Sequence, residues 1–139
     1  MARAVDVLGD RWALLVVRDA FDGITRFSDF QRSLGAAKNI LTSRLRALVD
    51  AGILEVVPAS DGSAYHEYAL TDRGRDLFTV IVALRQWGEA HLFADGEHHS
   101  ELLDATGARP LRRIAVLDAA GRALTASETF VRKVSHESA

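Results

Sequence analysis

The sequence has 139 residues, of which none is cysteine, two are proline and one is methionine. Without cysteine these residues can form no disulfide framework, no thiol nucleophile and no thiolate metal site. No apolar run approaches the roughly 20 residues that a membrane helix needs, and the first residues lack a signal-peptide pattern. These absences predict a cytoplasmic protein without a membrane partner.

The charge is nearly balanced but unevenly distributed. A net charge of −2 argues against a general nucleic-acid coat protein. Between Arg26 and Arg46, however, five cations accompany a single carboxylate, so this segment carries +4 and the rest of the chain carries −6. Such polarisation is typical of a protein with one basic binding face on an acidic remainder.

Composition and length predict a globular protein. The chain is 48% hydrophobic and 26% charged, which is ordinary for a folded domain, and it is long enough to bury a real core. We expect a folded domain over residues 1–93, a polar linker over 94–110, and a small β appendix with a tail over 111–139.

Apolar spacing and helix-breaking residues predict four helices, at residues 2–8, 11–21, 27–34 and 37–51. Asp10 is the expected N-cap of the second helix, which is apolar nearly all round and should lie at the centre of a domain or dimer. Ser28 and Gln31 are spaced as a capping box in the third helix. Gly35 then makes the third and fourth helices a helix-turn-helix.

The fourth helix has an unusual outer face. Its apolar residues recur at helical spacing at Leu41, Leu45, Leu48 and Val49, so the opposite face contains Asn39, Thr42, Ser43 and Arg46. These side chains are hydrogen-bonding groups and a cation, which suit phosphates and base edges. The pattern therefore predicts a DNA recognition helix.

A hairpin should follow this helix. Residues 53–57 and 65–70 are strand-like, with His66, Tyr68 and Leu70 on one face, and a loop over 58–64 is rich in turn formers. Two strands directly after a helix-turn-helix form a wing, whose tip would lie at residues 60–63.

The rest of the chain is predicted to be a long helix and an appendix. The helix runs from Thr71 to about Phe93 and presents a stripe for a partner chain, with Leu84, Trp87, Gly88 and His91 as candidate contacts. Strands are expected over 111–117, 122–126 and 130–134. Trp87, together with Trp12, Val16 and Phe21, could line an apolar effector pocket at this dimer interface, although the same pattern also fits an ordinary core.

Three stretches of the sequence resemble the HxlR family of bacterial winged-helix transcription regulators. They are residues 7–23 (VLGDRWALLVVRDAFDG), 26–54 and 65–77, and the GDRW motif at residues 9–12 is the most diagnostic. The resemblance implies a homodimer whose first helices and long helix form the interface, with two recognition helices in successive major grooves of a palindromic operator about 34 Å apart. It also implies that the major-groove readers are Lys38, Asn39, Thr42, Ser43 and Arg46, and that the residues meeting or organising the phosphate backbone are Arg26, Ser28, Arg44, Ser63 and His66.

The sequence departs from the family in its lack of cysteine. Many members carry a cysteine just before the first helix, which is the redox sensor in some of them, and some carry a cysteine-bearing appendix that resembles a metal ribbon. Neither exists here, and residues 117–121 lack metal ligands. His98 and His99, near His91, Glu97 and Glu101, are adjacent, so their rings should point apart. We expect no metal and no cofactor.

The predicted fold class is α+β, mainly α: a winged helix-turn-helix with a long dimerisation helix and a small β appendix. The predicted partners are double-stranded DNA, a second copy of the chain and a small-molecule effector. No G-x-S-x-G elbow, P-loop or paired carboxylates are present, so we do not expect an enzyme. The alternative is a winged-helix protein–protein module without DNA binding, which the acidic net charge keeps open.

Overall fold

The computed structural model describes residues 1–134. Their elements are α1 (Ala2–Leu8), α2 (Arg11–Phe21), α3 (Phe27–Leu34), α4 (Lys38–Asp50), β1 (Leu54–Pro58), β2 (His66–Leu70), α5 (Asp72–Arg75), α6 (Phe78–His91) and a 3₁₀ turn (Ala126–Glu128). The mainly helical winged fold predicted from the sequence is confirmed. None of the helices in this part of the chain has the length and apolar character needed to cross a membrane.

The chain divides into two compact units, and the division falls inside α6. The first unit is Met1–Arg85 and the second begins at Gln86. The sequence placed the boundary of the folded domain later, after residue 93. The winged helix-turn-helix lies entirely in the first unit.

Helix α2 begins where the sequence predicts. The Asp10 carboxylate accepts a hydrogen bond from the Ala13 N–H at 2.8 Å, which satisfies one of the free donors of the first turn. Within α2, Ala13, Val16 and Val17 are buried. The helix is therefore central to the core of the first unit.

The turn between α3 and α4 depends on Gly35. This residue has a φ of +63°, a left-handed conformation that favours glycine, and its N–H bonds to the Gln31 carbonyl at 2.9 Å. The predicted capping box at Ser28 is wrong. Arg26 occupies the N-cap position without a side-chain cap, so Ser28 lies already inside the first helical turn.

The core of the first unit is built around α4. Its three leucines, Leu41, Leu45 and Leu48, are buried together with Phe30 of α3 and Leu54 of β1. Each buried leucine stabilises the fold by about 1.5–3 kcal/mol through removal of apolar surface from water. This packing fixes which side of α4 faces outward.

The hairpin is antiparallel and in register from Leu54 opposite Leu70 to Pro58 opposite His66. Strand β1 is shifted by one residue from the predicted range of 53–57, and β2 begins one residue after the predicted start at residue 65. On the face that the sequence assigns to His66, Tyr68 and Leu70, the last two pack against the core and His66 is exposed, whereas Glu67 on the other face is buried. A carboxylate is buried only where hydrogen bonds and charge compensate it, which apolar alternation cannot reveal.

The single long helix predicted from Thr71 is also wrong. The chain forms the one-turn helix α5, then a tight Leu77 N–H to Gly74 carbonyl bond, and only afterwards α6. The apolar residues predicted to form one stripe along this helix have different surroundings: Leu77 and Ile81 pack on the core, while Leu84 is exposed.

The second unit has less regular structure than predicted. No strand forms over 111–134; the predicted hairpin is reduced to one antiparallel bridge between Leu117 and Ala123, and Leu103 makes a second bridge with Pro110. The third strand predicted over 130–134 is wrong, because these residues are exposed and no neighbouring strand in the described chain pairs with them. The Gln86 side chain joins α6 to the appendix by bonding the Ile114 N–H at 2.7 Å and the Arg112 carbonyl at 3.0 Å.

Gly74 provides a test of the packing between α5 and the hairpin. A Cβ at this position would lie 2.2 Å from the Ile53 carbonyl oxygen, a backbone atom that cannot move away cheaply. We expect Gly74→Ala to lower the free energy of unfolding by about 1–3 kcal/mol, measured by urea denaturation. Thr79→Ala, at an exposed position of α6, is the control and should change stability by a few tenths of a kcal/mol. Equal stability of the two variants would contradict the packing described here.

Candidate nucleic-acid interface

The outer face of α4 forms a single continuous surface. An open concavity of about 730 Å³ is lined by seven α4 residues, namely Lys38, Asn39, Thr42, Ser43, Arg46, Ala47 and Asp50. The structure thus brings together all five groove readers expected from the sequence. Ala47 was missed because an alanine gives no chemical signal, and only its helical position could have revealed it.

The polar groups on this surface are available for a ligand. In the part of the chain that the structure describes, no hydrogen bond or ion pair engages the side chains of Lys38, Asn39, Ser43 or Arg46. The Thr42 hydroxyl donates to the Lys38 carbonyl at 2.8 Å and keeps its lone pairs for an incoming donor. The face therefore offers an ammonium, a guanidinium, an amide and two hydroxyls within one helix.

Most of the positive charge in residues 26–46 is neutralised internally. Arg32 pairs with Asp29 at 3.1 Å, and both are well exposed, so this pair contributes little to stability. Arg44 and Arg26 also have carboxylate partners. Of the five cations in this segment, only Lys38 and Arg46 are without one in the described chain.

Arg44 connects α4 to the start of α2. Its Nε lies 2.9 Å from the second carboxylate oxygen of Asp10, although the N–H is not aimed along that line, so the contact is a close ion pair rather than a hydrogen bond. Asp10 thereby caps α2 with one oxygen and holds α4 with the other. This arrangement favours an organising role for Arg44 over direct contact with phosphate.

Arg26 lies between two carboxylates of the wing. It forms an ion pair with Asp61 at the wing tip, and its Nε is 3.5 Å from Glu67 on β2. The guanidinium has a raised pKa, chiefly because of its hydrogen bond to Asp61. Sequence reasoning missed both carboxylates; the signal for Asp61 would have been a wing-tip loop that contains no cation to meet DNA.

Hydrogen bonds hold both wing carboxylates in the ionised form. The pKa of Asp61 lies far below its ordinary value, first because the Ser63 N–H donates to it and second because of Arg26. The pKa of Glu67 is also lowered, mainly by the Ser60 N–H. A depressed folded-state pKa means that each carboxylate stabilises the fold above its ordinary pKa and loses this effect as the pH falls through the folded value.

The remaining predicted phosphate contacts lie at the surface. Ser28 on α3, Ser63 in the wing and His66 at the start of β2 are all exposed. Of these three, Ser63 makes a hydrogen bond within the wing: its N–H donates to the Asp61 carboxylate at 2.9 Å. Contact of these three residues with DNA remains a prediction.

The C-terminal end of α4 is held by the segment that follows the wing. The Thr71 hydroxyl bonds the carbonyls of Gly52 and Ile53 and accepts from the Gly74 N–H at 3.0 Å. Arg73 donates to the Ala51 carbonyl at 3.1 Å. The helix itself ends because Gly52 has a φ of +74° and the N–H groups of Gly52 and Ile53 bond the carbonyls of Val49 and Leu48 at 3.0 and 2.9 Å. The bonds of Thr71 and Arg73 hold the residues that come directly after it.

The residues predicted for a dimer interface or effector pocket differ in exposure. Val16 is completely buried in the core of its own chain, so it has no surface to offer a partner chain and this prediction was wrong. In the first unit Trp12 and Phe21 are half-buried, and Phe21 contacts Phe78 with ring centroids 5.4 Å apart. In the second unit Trp87 and His91 are exposed and Gly88 is half-buried.

The histidines of the second unit do not assemble a metal site in the described chain. Residues 1–134 contain no group of three or more histidine, aspartate and glutamate side chains that could hold an ion. The His99 ring instead lies against Phe93, with ring centroids 4.8 Å apart. Its Nδ1 is 3.8 Å from the Glu89 Oε1.

Comparison with known protein families identifies the family of this chain. The model of the HxlR-like helix-turn-helix family matches residues 7–95. The chain belongs to the HxlR-like helix-turn-helix family. The match covers α2 to α6 and therefore includes both the helix-turn-helix and the wing, as the GDRW motif and the residues after it predicted.

Named relatives are regulators of the same type. Uncharacterised HTH-type transcriptional regulators of Mycobacterium bovis (Mb3122) and Mycobacterium tuberculosis (Rv3095) are each 48% identical over 92 residues, which is 66% of this chain and 58% of theirs. The matched region thus spans under two thirds of these curated relatives.

Solved structures extend the similarity beyond the winged domain. The crystal structure of PA1607, described as a candidate transcription factor, is 50% identical, has a TM-score of 0.90, and covers 96% of this chain and 93% of its own. The redox regulator HypR in its oxidised form is 29% identical, with a TM-score of 0.60, and covers 67% of this chain and 97% of its own.

The shared carboxylate of Asp10 can be dissected by two substitutions. Asp10→Ala removes the cap of α2 and the partner of Arg44, so we expect a loss of about 1–2 kcal/mol in the free energy of unfolding. Asp10→Asn keeps an oxygen for the Ala13 N–H and loses only the charge, so it should cost under about 1 kcal/mol. Urea denaturation of both variants measures the difference. Equal losses would show that the cap contributes nothing.

Proposed function

We propose that this protein is a sequence-specific DNA-binding transcription regulator that reads the major groove with α4. The observation that carries this proposal is the convergence of unpartnered donors on one exposed helix face, next to a wing. Amide, hydroxyl and guanidinium groups on a helix are the chemistry that distinguishes base pairs from their major-groove edges. Membership of the HxlR-like family supports the same conclusion.

We further propose that the protein acts as a homodimer on a palindromic operator. Helix α1 has no buried residue, and its Val5 is 50% exposed. Phe78 and Leu84 of α6 are also exposed, at 43% and 49%. Apolar side chains on two helices favour burial against a second copy, and a two-fold axis would place two α4 helices on matching half-sites.

Arg46 is the sharpest single test of DNA reading. If it reads a base edge, Arg46→Ala should weaken binding by about 1–3 kcal/mol and relax the preference at one operator position. If it contacts a phosphate instead, binding should weaken equally on all sequences and the slope of log K against log salt should fall by about 0.9. Fluorescence anisotropy on operator and mutated operators distinguishes the two.

Selection from random DNA would supply that operator, together with a mobility-shift assay on the DNA upstream of its own gene. Arg113→Ala, which removes an exposed cation of the second unit, is the control and should leave affinity unchanged. If no sequence is enriched and the upstream DNA is not bound, the regulator proposal fails. A stable dimer without DNA binding would then favour the protein–protein module.

The dimer is tested separately by Leu84→Glu. A carboxylate in an apolar interface is strongly unfavourable, so light scattering should report a monomer at micromolar concentration, and operator affinity should fall with it. Val56→Glu makes the same change at an equally exposed residue of β1 and should leave the mass unchanged. A dimeric Leu84→Glu variant would rule out this face.

The signal that controls the regulator is not a thiol of these residues. HypR is a redox regulator, but the present sequence contains no cysteine. A small-molecule effector in an apolar interface pocket remains the proposal, now without Val16. Isothermal titration with aromatic or quinone-like metabolites addresses it directly.

A further inference from the structure

The loop at the wing tip differs from what a DNA-contacting wing would be expected to carry. Residues 59–65 contain neither lysine nor arginine, and their one charged side chain is Asp61. A bare carboxylate at this place would repel phosphate. Because Asp61 pairs with Arg26, we look for its role in the structure of the wing.

Glu67 forms the buried end of the contact. Its carboxylate accepts from the Ser60 N–H at 3.2 Å and from the Ser60 hydroxyl at 3.1 Å, while the Nε of Arg26 lies 3.5 Å away. The side chain is only 9% exposed. A buried carboxylate is tolerated when such donors surround it, so this end of the contact is fixed.

Asp61 forms the exposed end. One of its oxygens accepts the Ser63 N–H at 2.9 Å, which closes the turn at the wing tip, and the other pairs with Arg26. The two partners are 35 residues apart in sequence. Arg26 thus reaches from the start of α3 to the far end of the hairpin loop.

Backbone contacts hold only the base of the wing. The Tyr68 N–H donates to the Thr25 carbonyl at 2.8 Å, and the Tyr68 ring meets Phe30 edge-on at 6.4 Å. Within residues 1–134, the contact that joins the loop beyond β1 to the helix-turn-helix is that of Arg26 with Asp61. Together Arg26, Asp61, Glu67 and Ser60 form what we call the wing clamp.

We propose that Arg26 is a positioning residue: through the wing clamp it fixes the wing tip relative to α3 and α4, and it does not use its charge on DNA phosphate. This inference rests on the proposed DNA binding. The clamp has one cation and two carboxylates, so its net charge is −1 and it releases no counterion from DNA by itself.

The sign of one substitution separates this proposal from simple electrostatics. Removing a carboxylate near DNA normally strengthens binding because repulsion is relieved. If Asp61 instead holds the wing, Asp61→Asn should weaken operator binding, by about three- to tenfold for the loss of one charge-assisted contact. Asparagine can still accept the Ser63 N–H, so the turn itself should remain.

The salt dependence gives the second readout. Arg26→Gln should lower affinity at least as much as Asp61→Asn, because it removes the contacts to both carboxylates, while leaving the slope of log K against log salt unchanged; loss of a phosphate contact instead reduces the slope by about 0.9. Asp22→Asn, an exposed carboxylate at the end of α2, controls for the removal of one negative charge and should not weaken binding.

A measurement without DNA completes the test. Hydrogen exchange of the Gly62 and Ser63 amides should accelerate in both clamp variants relative to wild type and Asp22→Asn. Tighter binding by Asp61→Asn, a reduced salt slope for Arg26→Gln, or unchanged exchange would each overturn the clamp. If wild type binds no DNA, the proposed function fails, and the exchange rates still decide whether the clamp orders the wing.

Discussion

The constraint on which the first unit depends is the burial of three leucines on one side of α4. Leu41, Leu45 and Leu48 recur at helical spacing and face Phe30 and Leu54, so the helix cannot rotate about its axis without exposing them. The outward orientation of Asn39, Thr42, Ser43 and Arg46 is a consequence of that packing. The core thus fixes the direction in which these polar side chains point. A less tightly packed core would let them take several orientations before the protein unfolds.

Around this helix, polar contacts set position rather than orientation. Asp10 ties the middle of α4 to α2, Thr71 ties its end to the segment after the wing, and Arg26 ties the wing tip to α3. Each contact is modest in free energy because it is partly exposed. Their shared feature is sequence distance: each joins elements that local structure alone would leave independent, so they determine geometry more than stability.

The sequence predicted what periodicity and caps encode, and failed where three-dimensional neighbours decide. The bounds of α1, α2 and α3, the Asp10 cap and the Gly35 turn follow from local chemistry. The burial of Glu67 does not, because its compensating donors are Ser60 and Arg26. The break between α5 and α6 lies at Asp76 and Leu77, where no glycine or proline signals it, and the appendix strands failed because no neighbouring strand in the described chain pairs with them.

The internal neutralisation of three of five cations also bears on how such a protein would search a genome. Sequence-independent attraction to DNA comes from cations that displace counterions, and under the proposed function it would fall, within this segment, to Lys38 and Arg46. A chromosome offers about 10⁶–10⁹ competing sites, so weak attraction to each of them leaves more protein free for the operator. Under the proposed function, the carboxylates paired with Arg26, Arg32 and Arg44 would therefore raise selectivity by lowering adhesion elsewhere, and operator occupancy would depend on the few contacts that read bases.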